Sequence, residues 1–159
     1  MKDLTIKPHH FLDVFKLHGR GLDVFVPDLN YNHDFYLVGN DLLNQKYGTI
    51  TFTVGSDDIC MPCKYSVGGT CTDIFVEDGI EKTKEKYNRC IDTILLKELG
   101  LHQNQAYGFE FIMEKINSCL CSNIINKAWN QNSTEENNLR YYETKKGIDK
   151  LTNKITKSK

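Results

Sequence analysis

The apolar positions of the chain recur with two different periods, and the switches between them mark out its elements. Leu4-Thr5-Ile6 alternates as a short edge strand does and stops at Pro8, a residue also suited to the first position of a helix. Phe11, Val14, Phe15 and His18 then recur at helical spacing and predict a short helix over residues 9–18, ended by Gly19. Gly19-Arg20-Gly21 reads as a turn. Residues 22–40 mix aromatic side chains with Pro27, Asn30 and Asn32 and show no clear period. A helix around Asp34–Tyr47 would place Phe35, Val38 and Leu42 inward.

Thr49-Ile50-Thr51-Phe52-Thr53-Val54 is the clearest strand, alternating and β-branched, and closed by Gly55. It leads directly into a segment of another kind. Asp57–Cys71 holds Cys60, Cys63 and Cys71 as C-x2-C-x7-C, interrupted by Pro62 and by Gly68-Gly69. Such a stretch is too short and too rich in breakers to form a packed helix or a central strand, so a metal bound by thiolates is the first candidate for holding it.

Beyond the cysteines, Ile74-Phe75-Val76 fits a strand or the entry to a helix. Tyr87, Cys90, Ile91, Ile94, Leu95 and Leu99 form a helical stripe that ends at Gly100. A second helix is predicted from Ala106, with Phe109, Ile112, Met113, Ile116, Cys119 and Leu120 on one face, continuing towards Trp129. From Asn130 the composition turns polar, and Tyr141, Ile148, Leu151 and Ile155 leave only a sparse stripe. The expectation is a small α+β domain over residues 1–129, with a short β-sheet packed against helices and a cysteine-rich metal-binding loop. Residues 130–159 are expected as a polar, charged C-terminal helix or tail.

Composition narrows the function classes. A chain of 159 residues that is 40% hydrophobic can bury one true core. Its formal net charge of -1 predicts neither a nucleic-acid surface nor an electrostatic membrane anchor. No apolar run approaches the roughly 20 residues that span a bilayer, and the N-terminus lacks the apolar region of a signal peptide. The expected location is therefore the cytoplasm, where thiols stay reduced. The six cysteines then read as metal ligands, core residues or redox thiols rather than as three disulfides.

Two residues between Cys60 and Cys63 let a tight turn aim both sulfurs at one centre, and Cys71 can fold back onto it past Gly68-Gly69. A fourth ligand is usually needed. His10 and Asp13 are three residues apart and His9 and Asp13 four apart, so either pair could face one site. Cys90 and Cys119 lie on apolar helix faces and read as core residues, whereas Cys121 is turned about 200° from Cys119 on a continuous helix. His18 reads as core and His102 as surface. Asp57-Asp58 can serve as a turn that accepts backbone N–H groups, or as the acceptor for the other nitrogen of a ligating histidine.

Lys7-Pro8-His9-His10-Phe11-Leu12, Gly19-Arg20-Gly21, and Asp57-Asp58-Ile59-Cys60 with Pro62-Cys63 and Cys71 together resemble the family catalogued as domain of unknown function 1284. Its members are short bacterial and archaeal proteins suspected to bind iron–sulfur clusters. The resemblance continues through Ile91-Asp92 to Leu99-Gly100-Leu101 and spans roughly residues 4–120. Members often carry cysteine where this chain has Asp13, and their cysteine-rich C-terminal stretch matches Cys119 and Cys121 only loosely. Carboxylate in place of thiolate makes a harder site.

The leading expectation is a cytoplasmic protein whose Cys60, Cys63 and Cys71 bind an iron–sulfur cluster, with His10, Asp13 or a C-terminal cysteine as fourth ligand. Its role would be electron transfer or redox sensing with a redox partner protein. The alternatives are a structural zinc ion held by three cysteines and a histidine in a small interaction domain, or a metal-assisted enzyme. The enzyme would use His9, His10, Asp13 and Asp57 or Asp58 around an open coordination position, and requires the His-His helix and the cysteine loop to meet in one pocket.

Overall fold

The computed structural model describes residues 1–159 as an α+β domain of six helices and a short mixed sheet. The order is β1 (Lys2–Ile6), α1 (Pro8–Arg20), α2 (Phe35–Leu43), β2 (Tyr47–Phe52), β3 (Ser66–Val67), β4 (Thr70–Cys71), β5 (Ile74–Glu77), β6 (Ile80–Thr83), α3 (Lys84–Leu99), β7 (Ala106–Gly108), α4 (Phe109–Cys119), α5 (Ser122–Ala128) and α6 (Thr134–Ser158). In the main sheet β2 lies between β1, to which it is parallel, and β7, to which it is antiparallel. Leu4 pairs with Ile50 and Ile6 with Phe52, and all four side chains are buried. The period-two alternation thus sends one face of the sheet into the core. There Phe11 meets Phe52 edge to face at 5.6 Å and Phe15 at 5.0 Å.

Helix α1 is longer than its apolar stripe predicts, and the reason is its partner. Gly19 does not end it; a side chain there would meet the Glu143 carbonyl oxygen at 1.8 Å, and one at Gly147 of α6 would meet that of Phe15 at 1.8 Å. The two glycines let the backbones of α1 and α6 touch. The helix ends at Gly21, whose φ of 117° suits a residue without Cβ. At the other end of α6, Ser133 accepts the Glu136 N–H while the Glu136 side chain accepts the Ser133 N–H, a reciprocal cap. Ile148 and Leu151 of α6 belong to the same core as the sheet. Arg20 binds Glu143 through two nitrogens at 3.0 and 2.9 Å, on the side of this contact that faces water.

Three other features differ from expectation. The helix expected around Asp34–Tyr47 stops at Leu43, and Tyr47 begins β2. The helix expected from Ala106 to Trp129 is a strand and two helices: β7 extends the sheet, and the chain is extended at Leu120 and Cys121 between α4 and α5. Leu120 is buried there, which gives the break a packing reason. Cys90, expected inward, is exposed, because α3 buries Ile91, Asp92, Leu95, Leu96 and Leu99. A fully buried aspartate in that face is invisible to hydrophobic patterning. No helix is long and apolar enough to cross a membrane.

Candidate functional site

The site is organised on the first turn of α1, whose leading backbone N–H groups have no partner within the helix. Pro8 has no N–H to satisfy. The Lys7 N–H donates to Asp57 Oδ2 at 2.8 Å, and the His9 N–H donates to Asp92 Oδ1 at 2.7 Å. Each carboxylate also takes the side chain of a neighbouring histidine. His10 Nδ1 lies 2.8 Å from Asp57 Oδ2, and His9 Nδ1 lies 2.8 and 2.9 Å from the two oxygens of Asp92. The adjacent imidazoles are 4.2 Å apart between centroids and are anchored in opposite directions, one to the cysteine loop and one to α3. A carboxylate facing Nδ1 requires that nitrogen to donate, which leaves Nε2 of each ring without a protein partner.

Helix polarity and these partners decide the charge states. Burial opposes ionisation of Asp57, but His10, the Lys7 N–H and the Lys7 ammonium outweigh it, so its carboxyl sits well below the usual range. Burial likewise opposes a charged His9, and Asp92 overcomes it, raising the His9 pKa.

The cysteine loop is pinned at its start by polar bonds and one apolar anchor. Asp58 Oδ2 accepts the Thr5 N–H and Thr5 O accepts the Asp58 N–H, while Ile59 is buried in the core. Asp57 Oδ1 accepts the Cys60 N–H at 3.0 Å, and Cys63 N–H donates to the Cys60 carbonyl at 3.0 Å. Gly68 and Gly69, at φ of 58° and 79°, form the two-residue turn between β3 and β4 and bring Cys71 opposite Ser66. The loop therefore has supports that need no metal.

Cys60, Cys63 and Cys71 nevertheless line one small cavity of about 20 Å³, together with Lys7. Lys7 is 3% exposed, and its ammonium donates to Cys60 Sγ at 3.5 Å. Burial disfavours the lysine's charge, yet Cys60 and Asp57 raise its pKa overall. Burial also pushes the Cys60 thiol up to about 12, helped by the Asp57 charge and opposed by Lys7. Cys60 is consequently protonated near neutrality, and the charge that balances Lys7 in the metal-free chain is Asp57.

The remaining candidates separate. Asp13 binds Arg140 Nη1 at 2.7 Å and Lys16 Nζ at 3.1 Å, so two cations occupy it. His9 and Asp13 line a large cleft, not the cysteine cavity, and His10 lines that cleft while reaching Asp57. The His-His helix and the cysteine loop are joined through Asp57 but open into different cavities. Cys119 is partly buried beside the core, Cys121 is exposed, and neither lines the cysteine cavity. His18 is buried with Nδ1 3.2 Å from the Leu22 carbonyl, and His102 is exposed.

Three metal-ligating side chains have donor atoms within 4.8 Å of one another: His10, Asp57 and Cys60. Asp57 already accepts from Lys7, His10 and Cys60, so its position suits orienting the histidine better than ligating an ion. Asp92, Trp129 and Arg140 are not among the site residues that the sequence predicts. Asp92 is masked by the apolar stripe of α3, and Arg140 by the polar run that follows Asn130. Comparison of the chain with protein-family models, with curated proteins and with solved structures gives no match.

Proposed function

We propose that Cys60, Cys63 and Cys71 hold a metal centre, with His10 as the fourth ligand and Asp57 fixing its ring. The carrying observation is Lys7: a buried ammonium whose hydrogen-bond partner is a thiol, on the wall of a cavity shared by three cysteines. Asp57 balances the Lys7 charge, and thiolates bound to a metal would give the ammonium an anionic hydrogen-bond partner as well. Three thiolates over-compensate a doubly charged metal centre by one unit, and that excess is what Lys7 would neutralise. The carboxylate–imidazole pair Asp57–His10 is the usual device for setting the tautomer and angle of a ligating histidine.

An iron–sulfur cluster, serving electron transfer or redox sensing, is the first reading. The three sulfurs are not gathered within 4.8 Å of one another as a set, whereas a tetrahedral ion with bonds of about 2.3 Å requires closer spacing. Cluster ligands bind different irons and can stand further apart. Resemblance to the domain of unknown function 1284 family points the same way. One observation favours a single zinc ion instead: the cavity has room for about one ion or water, and a cluster would need the loop to open.

Anaerobic purification and reconstitution with iron and sulfide separates the two. The cluster reading expects a brown protein whose visible absorption is lost in Cys63→Ser. A colourless product holding one zinc per chain would replace it with the zinc reading, and a product that takes up neither metal would end both.

A further inference from the structure

Far larger than the cysteine pocket is a cleft of about 880 Å³. Its walls come from α1, the loop after Gly21, the β5–β6 hairpin and the junction of α5 with α6. Its size falls in the range of small-molecule sites, and its lining mixes five aromatic side chains with charged and polar groups. Phe25 meets Phe35 edge to face at 5.4 Å and Phe75 meets Tyr87 at 5.1 Å, and all four line the cleft with Trp129. The lips carry apolar side chains left in water, with Val24 69%, Val26 76% and Val76 68% exposed.

The hydrogen-bonding groups of the cleft are not evenly satisfied. Its three carboxylates are all engaged. Asp13 holds Arg140 and Lys16; Asp28 accepts the Asn30 and Tyr31 N–H groups at 2.8 and 3.3 Å; Glu77 is paired with Lys82. The Arg140 guanidinium is engaged only in part. Arg140 gives Nη1 to Asp13 and one guanidinium face to the Trp129 ring, at 4.1 Å from its centroid, and no protein acceptor meets its Nη2 or Nε. The group is thus fixed in place by its edge and its face while part of its fork stays available.

Carboxylates that are all engaged and a guanidinium with a free edge define a site that lacks an anion. We propose that this cleft binds a small organic anion with a flat apolar body. The anionic group, carboxylate or phosphate, sits on Arg140, and the body lies between the aromatic walls. Bidentate recognition of either group is what a guanidinium held in this way is built for. The proposal does not rest on the metal centre, whose three cysteines lie outside the cleft, although His10 borders both.

The test uses the single tryptophan, which lines the cleft and gives one indole N–H resonance. The full chain is titrated with 1-naphthoate, 1-naphthyl phosphate and the neutral 1-naphthalenemethanol, following Trp129 by nitrogen–proton correlation NMR. At least one anion should shift the resonance saturably with an affinity about tenfold or more above that of the alcohol, as a charged hydrogen bond implies. The tighter anion names the group. Arg140→Gln should bring the anions down to the level of the alcohol in a chain whose remaining spectrum is native. If that variant does not fold, Val76→Asp on the exposed lip should weaken the anions several-fold and the alcohol less. Equal affinities for anion and alcohol, no saturable shift with any of the three, or undiminished anion preference in a folded Arg140→Gln chain would overturn the proposal. A Trp129 shift that depends on protein concentration alone would overturn it too, because the cleft would then be covered by a second copy.

Discussion

His10 and Asp57, forty-seven residues apart in the chain, are joined at 2.8 Å, and the same carboxylate holds the Cys60 N–H. The histidine pair and the cysteine loop are therefore one mechanical unit, built on the unpaired N–H groups that begin α1. Asp57→Asn keeps the shape but removes the charge and one acceptor from a buried set of three donors. We expect a loss of about 2–4 kcal/mol, read as a lower urea midpoint at unchanged slope. Hydrogen exchange should speed up first at the Lys7 and Cys60 amides. A stability loss under 0.5 kcal/mol would show that Asp57 does not hold this unit together.

Gly19 and Gly147 make a second, sharper claim, because a Cβ at either would lie 1.8 Å from a backbone oxygen of the facing helix. Backbone cannot yield as a side chain can. Gly147→Ala should cost about 3 kcal/mol or more, although alanine is the better helix former. If the variant were as stable as the parent in thermal or urea unfolding, the close contact of α1 with α6 would be wrong.

Acid sensitivity has an identifiable contributor away from both cavities. Asp41 is buried between Lys2 and Lys46, each at 2.8 Å. Burial opposes its charge, but the two lysines prevail and its pKa is lowered. A carboxylate more acidic in the folded than in the unfolded chain adds stability above its unfolded value, about 3.9, and loses it as pH falls through the lower folded value. Both lysines are well exposed, so the contribution is modest. Asp41→Asn should be less stable by about 1 kcal/mol at pH 7, with the gap closing as the pH is taken below 4. A gap that stays constant with pH would assign the loss to packing.

What the sequence made legible was the periodic part of the fold. The strand at Ile50 and Phe52, the helix ended by Gly100 and the apolar face of α1 all follow from spacing and from left-handed glycines. The misplaced features share a cause: a residue type doing a tertiary job that mimics a local one. Gly19 looks like a turn but serves helix contact. Cys90 continues an apolar stripe, yet the face that is buried includes Asp92. The start of α6 is encoded locally, since Ser133-Thr134-Glu135-Glu136 is a capping box, but the polar composition around it is equally that of a tail. At the site, the pairing of Asp57 with a histidine was one of the roles open to it. The pairing of Asp13 with Arg140 depends on α6 returning to α1, which no local pattern encodes.

The central claim is the metal centre, and elemental analysis tests it most directly. Iron, sulfide and zinc per chain should be measured on anaerobically purified protein beside Cys63→Ser and the double variant Cys90→Ser, Cys121→Ser, whose thiols are exposed outside the cysteine cavity. The account predicts stoichiometric metal in the parent and in the double variant, and its loss in Cys63→Ser. Metal absent from all three, or retained in full when Cys63 is removed, would contradict it.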